Sequence, residues 1–303
     1  LKVGMGSLKT APLPMASVPS IPQGVMPTWA LLYMLAYYEL YLYSGDREIL
    51  EKHYDRFALL IENCLKMTDE TNLFKPPYND MIDWASIDLR PNAYNSHSNA
   101  LLYKNLVQIA CCAKEMGKEE DEKKYLKKAE ILKKTVNKLL WVEDKKAFTD
   151  CLTPEGEYSS HFSIQVQSVM VMTGCADEKN EYALKNYFEK GFPLDFQRIG
   201  SPFASMFYHE ALSRLGLVDV ILQDIRKGWG LMTDLGSTTC FETFPGWEIK
   251  DLTRSHCHAW SACPAYVAGH DILGVRPLTP GFKKVLISPN LNGLEWARGR
   301  VPV

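Results

Sequence analysis

The stretch "EEDEKKYLKKAEILKKTVNKLL" (residues 119–140) decides the class of fold. Tyr125, Leu126, Ala129, Leu132, Val136, Leu139 and Leu140 recur at spacings of three and four, with charges between them. That rhythm predicts a helix with one buried face and one wetted face. Just upstream, 95–116 reads as a second helix that stops at Gly117, so the two form a hairpin with a short turn. The same grammar extends in both directions. Helices are predicted over 28–44, with Pro27 at the N-terminus and Gly45 after the end, and over 47–67. Further helices are predicted over 160–173, 179–190, 201–216 and 217–229, and from Pro264 to Gly274. Ser201 is expected to cap the helix at 201–216, with Pro202 at its first position and Gly216 beyond its end. Residues 1–26 are proline-rich and read as irregular.

About nine helices joined alternately by short turns and long loops suit helical hairpins set in a ring. The long loops would gather on one face. No sequence repeat of solenoid length is present. After Gly274 the rhythm changes. "GFKKVLISPNLNGLEWARGRVPV" (281–303) has β-branched residues and turn signals, and reads as the first two strands of a β domain. The expected organisation is therefore a helical unit over 1–275 and the start of a β domain over 276–303.

Composition narrows the class. Of 303 residues, 46% are hydrophobic and 23% charged, which suits a soluble globular chain with a sizeable core. The formal charge of −2 and the lack of a basic block argue against nucleic-acid binding. No apolar run reaches the roughly 18 residues of a membrane span. The start is too polar and proline-rich for a signal peptide, so a cytoplasmic or a periplasmic location stays open. The first residue is Leu, so a preceding segment is expected to be missing. The eight cysteines form no C-x-x-C pair and read as free, mostly buried thiols.

Three loops mix carboxylate or histidine with tryptophan: "NDMIDW" (79–84), "GSTTCFETFPGW" (236–247) and "TRSHCHAWSACP" (253–264). A sugar pocket needs that mixture, because aromatic faces cover the C–H face of a pyranose while charged groups take the hydroxyls. Glu242 sits between Phe241 and Phe244 and reads either as a catalytic carboxylate or as a solvated loop acid. Asp83–Trp84 reads either as a loop cap with a packed indole or as an acid beside a stacking platform. Asp80 and Asp88 are expected to form turns. His256 and His258 would share a face with Trp260 in an extended run. Zinc is disfavoured, because no second pair of ligands has zinc spacing. Glu210 is expected to face solvent or to pair with Arg214. No cofactor or metal is expected.

These loops resemble the bacterial α-L-rhamnosidases, glycoside hydrolase family 78. The resemblance is carried by "GWGLMTDLGSTTCFETFPGW", "TRSHCHAWSACPAY", "ILGVRPLTPGFKKVLISPNLNGLEWARGRVP" and, upstream, "YLYSGDREILEKHYDRF" with the Asp83–Trp84 pair. It implies an (α/α)6 barrel followed by a β-sandwich, here incomplete at both ends. It also implies inverting hydrolysis of terminal α-L-rhamnosides, with Glu242 activating water and His258, Asp83, Trp84, Trp29 and Trp247 around the sugar. The partner so implied is a rhamnose-containing glycoside, with a homo-oligomer left open. Two departures stand out. The family's acid lies in an R-x-D-E-R type stretch that this sequence lacks, and "WALL" (29–32) stands where relatives often carry "WGDA". Weak or absent activity is therefore expected of these residues alone. Two other readings are a non-catalytic carbohydrate-binding domain and an (α/α)6 glycosidase of different sugar specificity.

Overall fold

A computed structural model describes residues 5–17, 24–244 and 254–301. Nine α-helices occur among them: α1 (Pro27–Ser44), α2 (Arg47–Leu65), α3 (Ser96–Glu115), α4 (Glu119–Leu139), α5 (Ile164–Thr173), α6 (Glu178–Lys190), α7 (Pro202–Leu215), α8 (Val218–Asp234) and α9 (Cys263–Val267). A π-helical turn, Ala268–Ile272, continues α9.

The helices form two layers. α1, α3, α5, α7 and α9 pack in succession as an inner wall, while α2, α4 and α8 lie against their hairpin partners outside it. Composition explains the division. α5 is buried at nine of its ten residues and carries no polar stripe, as a helix enclosed on all sides must. α4 buries only Tyr125, Ala129, Leu132 and Val136 and wets the rest, as an outer helix must. The result is a mainly helical, two-layered array of hairpins, and among the described residues it does not close into a barrel.

Most helix ends fall within two residues of expectation, because caps set them. Gly45, Gly174 and Gly216 end α1, α5 and α7 in the left-handed region. Three differences have tertiary causes. α5 starts at Ile164 and not near 160, because the Ile164 N–H donates to the Gln197 carbonyl at 3.1 Å and holds the chain extended. α8 runs on through Gly228 and Gly230 to Asp234. Its Trp229 packs with Met232, Phe241 and Cys263, and its indole donates to the Ser261 carbonyl at 2.8 Å. Gly228 is required there, since a Cβ would lie 2.6 Å from the Phe244 ring. Ser201 precedes α7 but makes no side-chain cap. Its hydroxyl goes to Asp83 instead.

Six short strands form three antiparallel pairs. β1 (Tyr94–Asn95) pairs with β4 (Cys151–Leu152), β2 (Trp141–Val142) with β3 (Ala147–Phe148), and β5 (Val275–Pro277) with β6 (Val285–Ile287). The last pair follows α9 and its π-helical turn. It begins at Val275, before "PGF", and 294–301 contains no strand. Two three-residue strands are marginal alone, and side chains anchor them. Arg276 donates to the Asp271 carboxylate at 2.7 Å and to the His270 carbonyl at 3.0 Å. The Ser288 N–H donates to the Gly274 carbonyl at 2.9 Å. Gly274 has φ +67°, and a Cβ there would sit 1.9 Å from the Ser288 carbonyl oxygen.

Arg214 does not pair with Glu210. It reaches across to Glu181 of α6 at 2.9 Å. Glu210 turns to the inner wall, where Tyr266 donates to it and Glu39 faces it. Burial on that wall, reinforced by Glu210 and opposed by Lys104 and His270, pushes the Glu39 carboxyl up to about 7. Water still reaches Glu39, which is exposed at the surface of the concavity, so the energetic effect is modest. All eight cysteines are free, and Cys64, Cys112, Cys151, Cys175 and Cys263 are buried.

Two outcomes follow for stability. Gly274→Ala is expected to lower it by at least about 1–2 kcal/mol in urea titrations, from the left-handed φ alone. The protonated form of Glu39 is favoured by folding. Its contribution is complete below about pH 4.5 and lost as pH rises through about 7. Thermal melts at pH 5.5 and 8 are expected to differ less in Glu39→Gln than in the parent chain.

Candidate active site

The site lies where the long loops meet the N-terminal ends of the inner helices. The loop 78–90 is fastened first. Asp80 accepts from the Thr28 N–H and the Thr28 hydroxyl, each at 2.9 Å, and lies 3.2 Å from His97 Nε2. It is a buried cap on α1, where the helix dipole favours a carboxylate, rather than a simple turn former. Three residues on, Asp83 accepts four hydrogen bonds: from the Trp84 N–H (2.8 Å), Ser201 Oγ (2.5 Å), Gln165 Nε2 (2.6 Å) and the Gly200 N–H (2.7 Å). Burial pushes its carboxyl above the usual range, and the four donors pull against that shift. With four donors on its two oxygens, Asp83 ties its own loop to α5 and to the start of α7. Asp88 is pulled low by Arg90, which grips it through two donors at 2.8 and 2.6 Å.

Trp84 leaves Asp83 pointing at Glu242. Its indole N–H donates to Glu242 Oε1 at 3.0 Å, across 158 residues of sequence. The backbone around Glu242 is held by the loop after 253. The Glu242 N–H donates to the Ser255 carbonyl (2.8 Å), the His258 N–H to the Cys240 carbonyl (2.9 Å), and the Trp260 indole to the Glu242 carbonyl (3.1 Å). His258 Nδ1 lies 3.6 Å from Glu242 Oε2. Arg254 Nε lies 3.5 Å from Oε1, and the guanidinium stacks 3.9 Å from the centre of the Trp84 ring. The Glu242 side chain keeps 13% of its surface in contact with water. A carboxylate so placed, partly enclosed and anchored through one oxygen, can take a proton from a water at the other.

An aromatic wall flanks it. Trp29, at the start of α1, stacks on Phe203 of α7 (5.2 Å), and Phe203 stacks on Trp260 (5.2 Å). His258 packs on Trp260 at 4.4 Å. Four of the expected residues, Glu242, Trp84, His258 and Trp29, are thus joined in one chain of contacts. Asp83 adjoins that chain through the Trp84 N–H, and Trp247 lies outside the described residues. His256 does not share the His258 face, because its ring packs on Phe241 at 4.8 Å. Among the described residues no group of three or more His, Cys, Asp and Glu side chains could hold a metal ion.

Sequence reasoning missed Phe203, Gln165 and Arg254. The first two lie on helices whose facing only packing decides. Arg254 was visible as a cation in a loop of histidines and tryptophans, but nothing in the spacing aimed it at Glu242.

Hairpin helices in two layers, with one carboxylate among indoles at their loop end, are what a glycosidase domain of helical hairpins would present. The family model for the bacterial α-L-rhamnosidase six-hairpin glycosidase domain matches residues 2–269. The chain belongs to that family, the catalytic domain of the bacterial rhamnosidases. It is 34% identical to the GH78 rhamnosidase of Bacillus sp. GL1, with a TM-score of 0.91 over 96% of this chain and 31% of that one. It is 23% identical to the α-L-rhamnosidase of Alteromonas sp. (strain LOR) over 88% of this chain and 30% of that protein. A rhamnosidase from Klebsiella oxytoca, solved with rhamnose bound, shares the fold at 20% identity and a TM-score of 0.68, over 84% of this chain and 49% of that one. The chain therefore spans less than a third of the first two relatives.

Asp83→Ala leaves four donors without their acceptor. It is expected to cost about 3 kcal/mol or more in urea unfolding, since each buried unpaired donor costs roughly 1–3 kcal/mol. Tryptophan fluorescence should shift as Trp84 loses its support.

Proposed function

We propose that this domain carries the base of an inverting α-L-rhamnosidase, with Glu242 activating the attacking water. The observation that carries the reading is the setting of Glu242. One oxygen is taken by the Trp84 indole, the other lies beside His258, and an aromatic wall stands alongside. In an inverting reaction a base removes a proton from water as the water oxygen attacks the anomeric carbon. An acid protonates the departing glycosidic oxygen from the opposite face, and the two carboxyls stand roughly 6.5–9.5 Å apart. Trp29, Phe203 and Trp260 would cover the apolar face and methyl of rhamnose, and His258 and Trp84 would fix the orientation of Glu242 and the ring. The sequence contains no R-x-D-E-R stretch to supply the acid. On this reading residues 1–275 act as the catalytic unit, and 276–303, opened by the β5–β6 hairpin, begin a β domain.

α-L-Rhamnosyl fluoride separates base from acid, because fluoride leaves without protonation. The chain is expected to hydrolyse it with inversion, seen as initial β-L-rhamnose by NMR. Glu242→Gln should lower kcat by about 10²–10⁴-fold. Retention of configuration, or full activity in the variant, overturns the assignment. Sugar binding without catalysis is a second reading, favoured by the saturation of Asp83. Calorimetric binding of rhamnose with no fluoride hydrolysis would select it. A preference for α-glucosyl over α-rhamnosyl fluoride would mark a glycosidase of different specificity.

A further inference from the structure

We infer that Arg254 is a positioning residue of this site, dividing the two oxygens of Glu242 into one that is anchored and one that reacts. The inference rests on the reading of Glu242 as base. The geometry is threefold. The Arg254 guanidinium lies over the Trp84 indole, its carbon 3.9 Å from the ring centre. Its Nε lies 3.5 Å from Glu242 Oε1. The Trp84 indole N–H donates to that same Oε1 at 3.0 Å. Cation, indole and carboxylate therefore form a closed triangle, in which the indole hydrogen-bonds Oε1 and the guanidinium sits beside the same oxygen as an ion pair.

Oε2 has a different neighbour, His258 Nδ1 at 3.6 Å, longer than a hydrogen bond. Oε2 is the oxygen left to accept from water. A carboxylate held through one oxygen cannot rotate about its terminal bond without losing the indole hydrogen bond and the ion pair beside it, so the basic lone pairs stay aimed. Arg254 also occupies one face of Trp84, so a sugar can stack only on the other face. The planar guanidinium suits both tasks at once, stacking through its plane and approaching the carboxylate through its edge. Lysine keeps the charge but cannot stack flat on the indole.

The test compares Arg254→Met, Arg254→Lys and Glu242→Gln in the full chain with two readouts. The first is kcat and KM on α-L-rhamnosyl fluoride. Arg254→Met is expected to lose about 10- to 100-fold in kcat, the scale of a catalytic group displaced by roughly 1 Å, with KM changed less than kcat. Arg254→Lys should recover only part of the loss. The second readout is the Trp84 indole N–H resonance in a ¹H–¹⁵N spectrum, assigned by Trp84→Phe. It should be single and sharp in the parent chain. It should broaden or move in Arg254→Met and move in Glu242→Gln. A parent-like kcat with an unmoved resonance in Arg254→Met overturns the inference. If Glu242→Gln keeps full hydrolysis, or the parent chain hydrolyses nothing, the reading of Glu242 as base has failed. The resonance then decides the Arg254 contact alone, and an unmoved signal overturns it.

Discussion

The arrangement depends on one buried carboxylate. Asp83 gathers donors from three separate parts of the chain: its own loop at Trp84, α5 at Gln165, and the start of α7 at Gly200 and Ser201. A charge taken out of water is tolerated only when fully hydrogen-bonded, so the three segments are held in one geometry or the charge is stranded. Trp84 inherits its aim from that constraint. Its backbone N–H is committed to Asp83, and its indole then faces Glu242.

The loop end of the helical array is fastened in the same way elsewhere. Asp80 ties the loop to the first turn of α1, which places Trp29. Trp260 spends its indole N–H on the Glu242 carbonyl and its ring on Phe203, so one side chain fixes both the Glu242 backbone and the wall. Two buried aspartates and two indole donors therefore do for the loops what apolar stripes do for the helices. Loops cannot bury enough apolar surface to fix themselves, and hydrogen bonds between distant residues supply the order.

The inner wall is more polar than the helix patterns suggest. Glu39, Glu210, Tyr266 and His270 meet on its concave side. Glu210 shows why a helical pairing rule fails there. Arg214 is within reach on α7 but faces outward to Glu181, while Glu210 faces inward.

Periodicity and caps by themselves determined the helices, their hairpin order and the change of rhythm after Gly274, because those signals are local. Residue type in the long loops also marked Glu242, Trp84 and His258 as unusual, while Trp29 came only through the family resemblance. Only the tertiary structure decided which of them meet. Glu242 and Trp84 are 158 residues apart, and no spacing rule reaches that far. It also decided that Asp83 gathers four donors, that His256 and His258 diverge, and that Arg254 closes on the Trp84 indole and Glu242. Each of these turns on which donors a folded chain brings to one oxygen. That is a property of contacts between loops, and a linear sequence carries no period from which to read it.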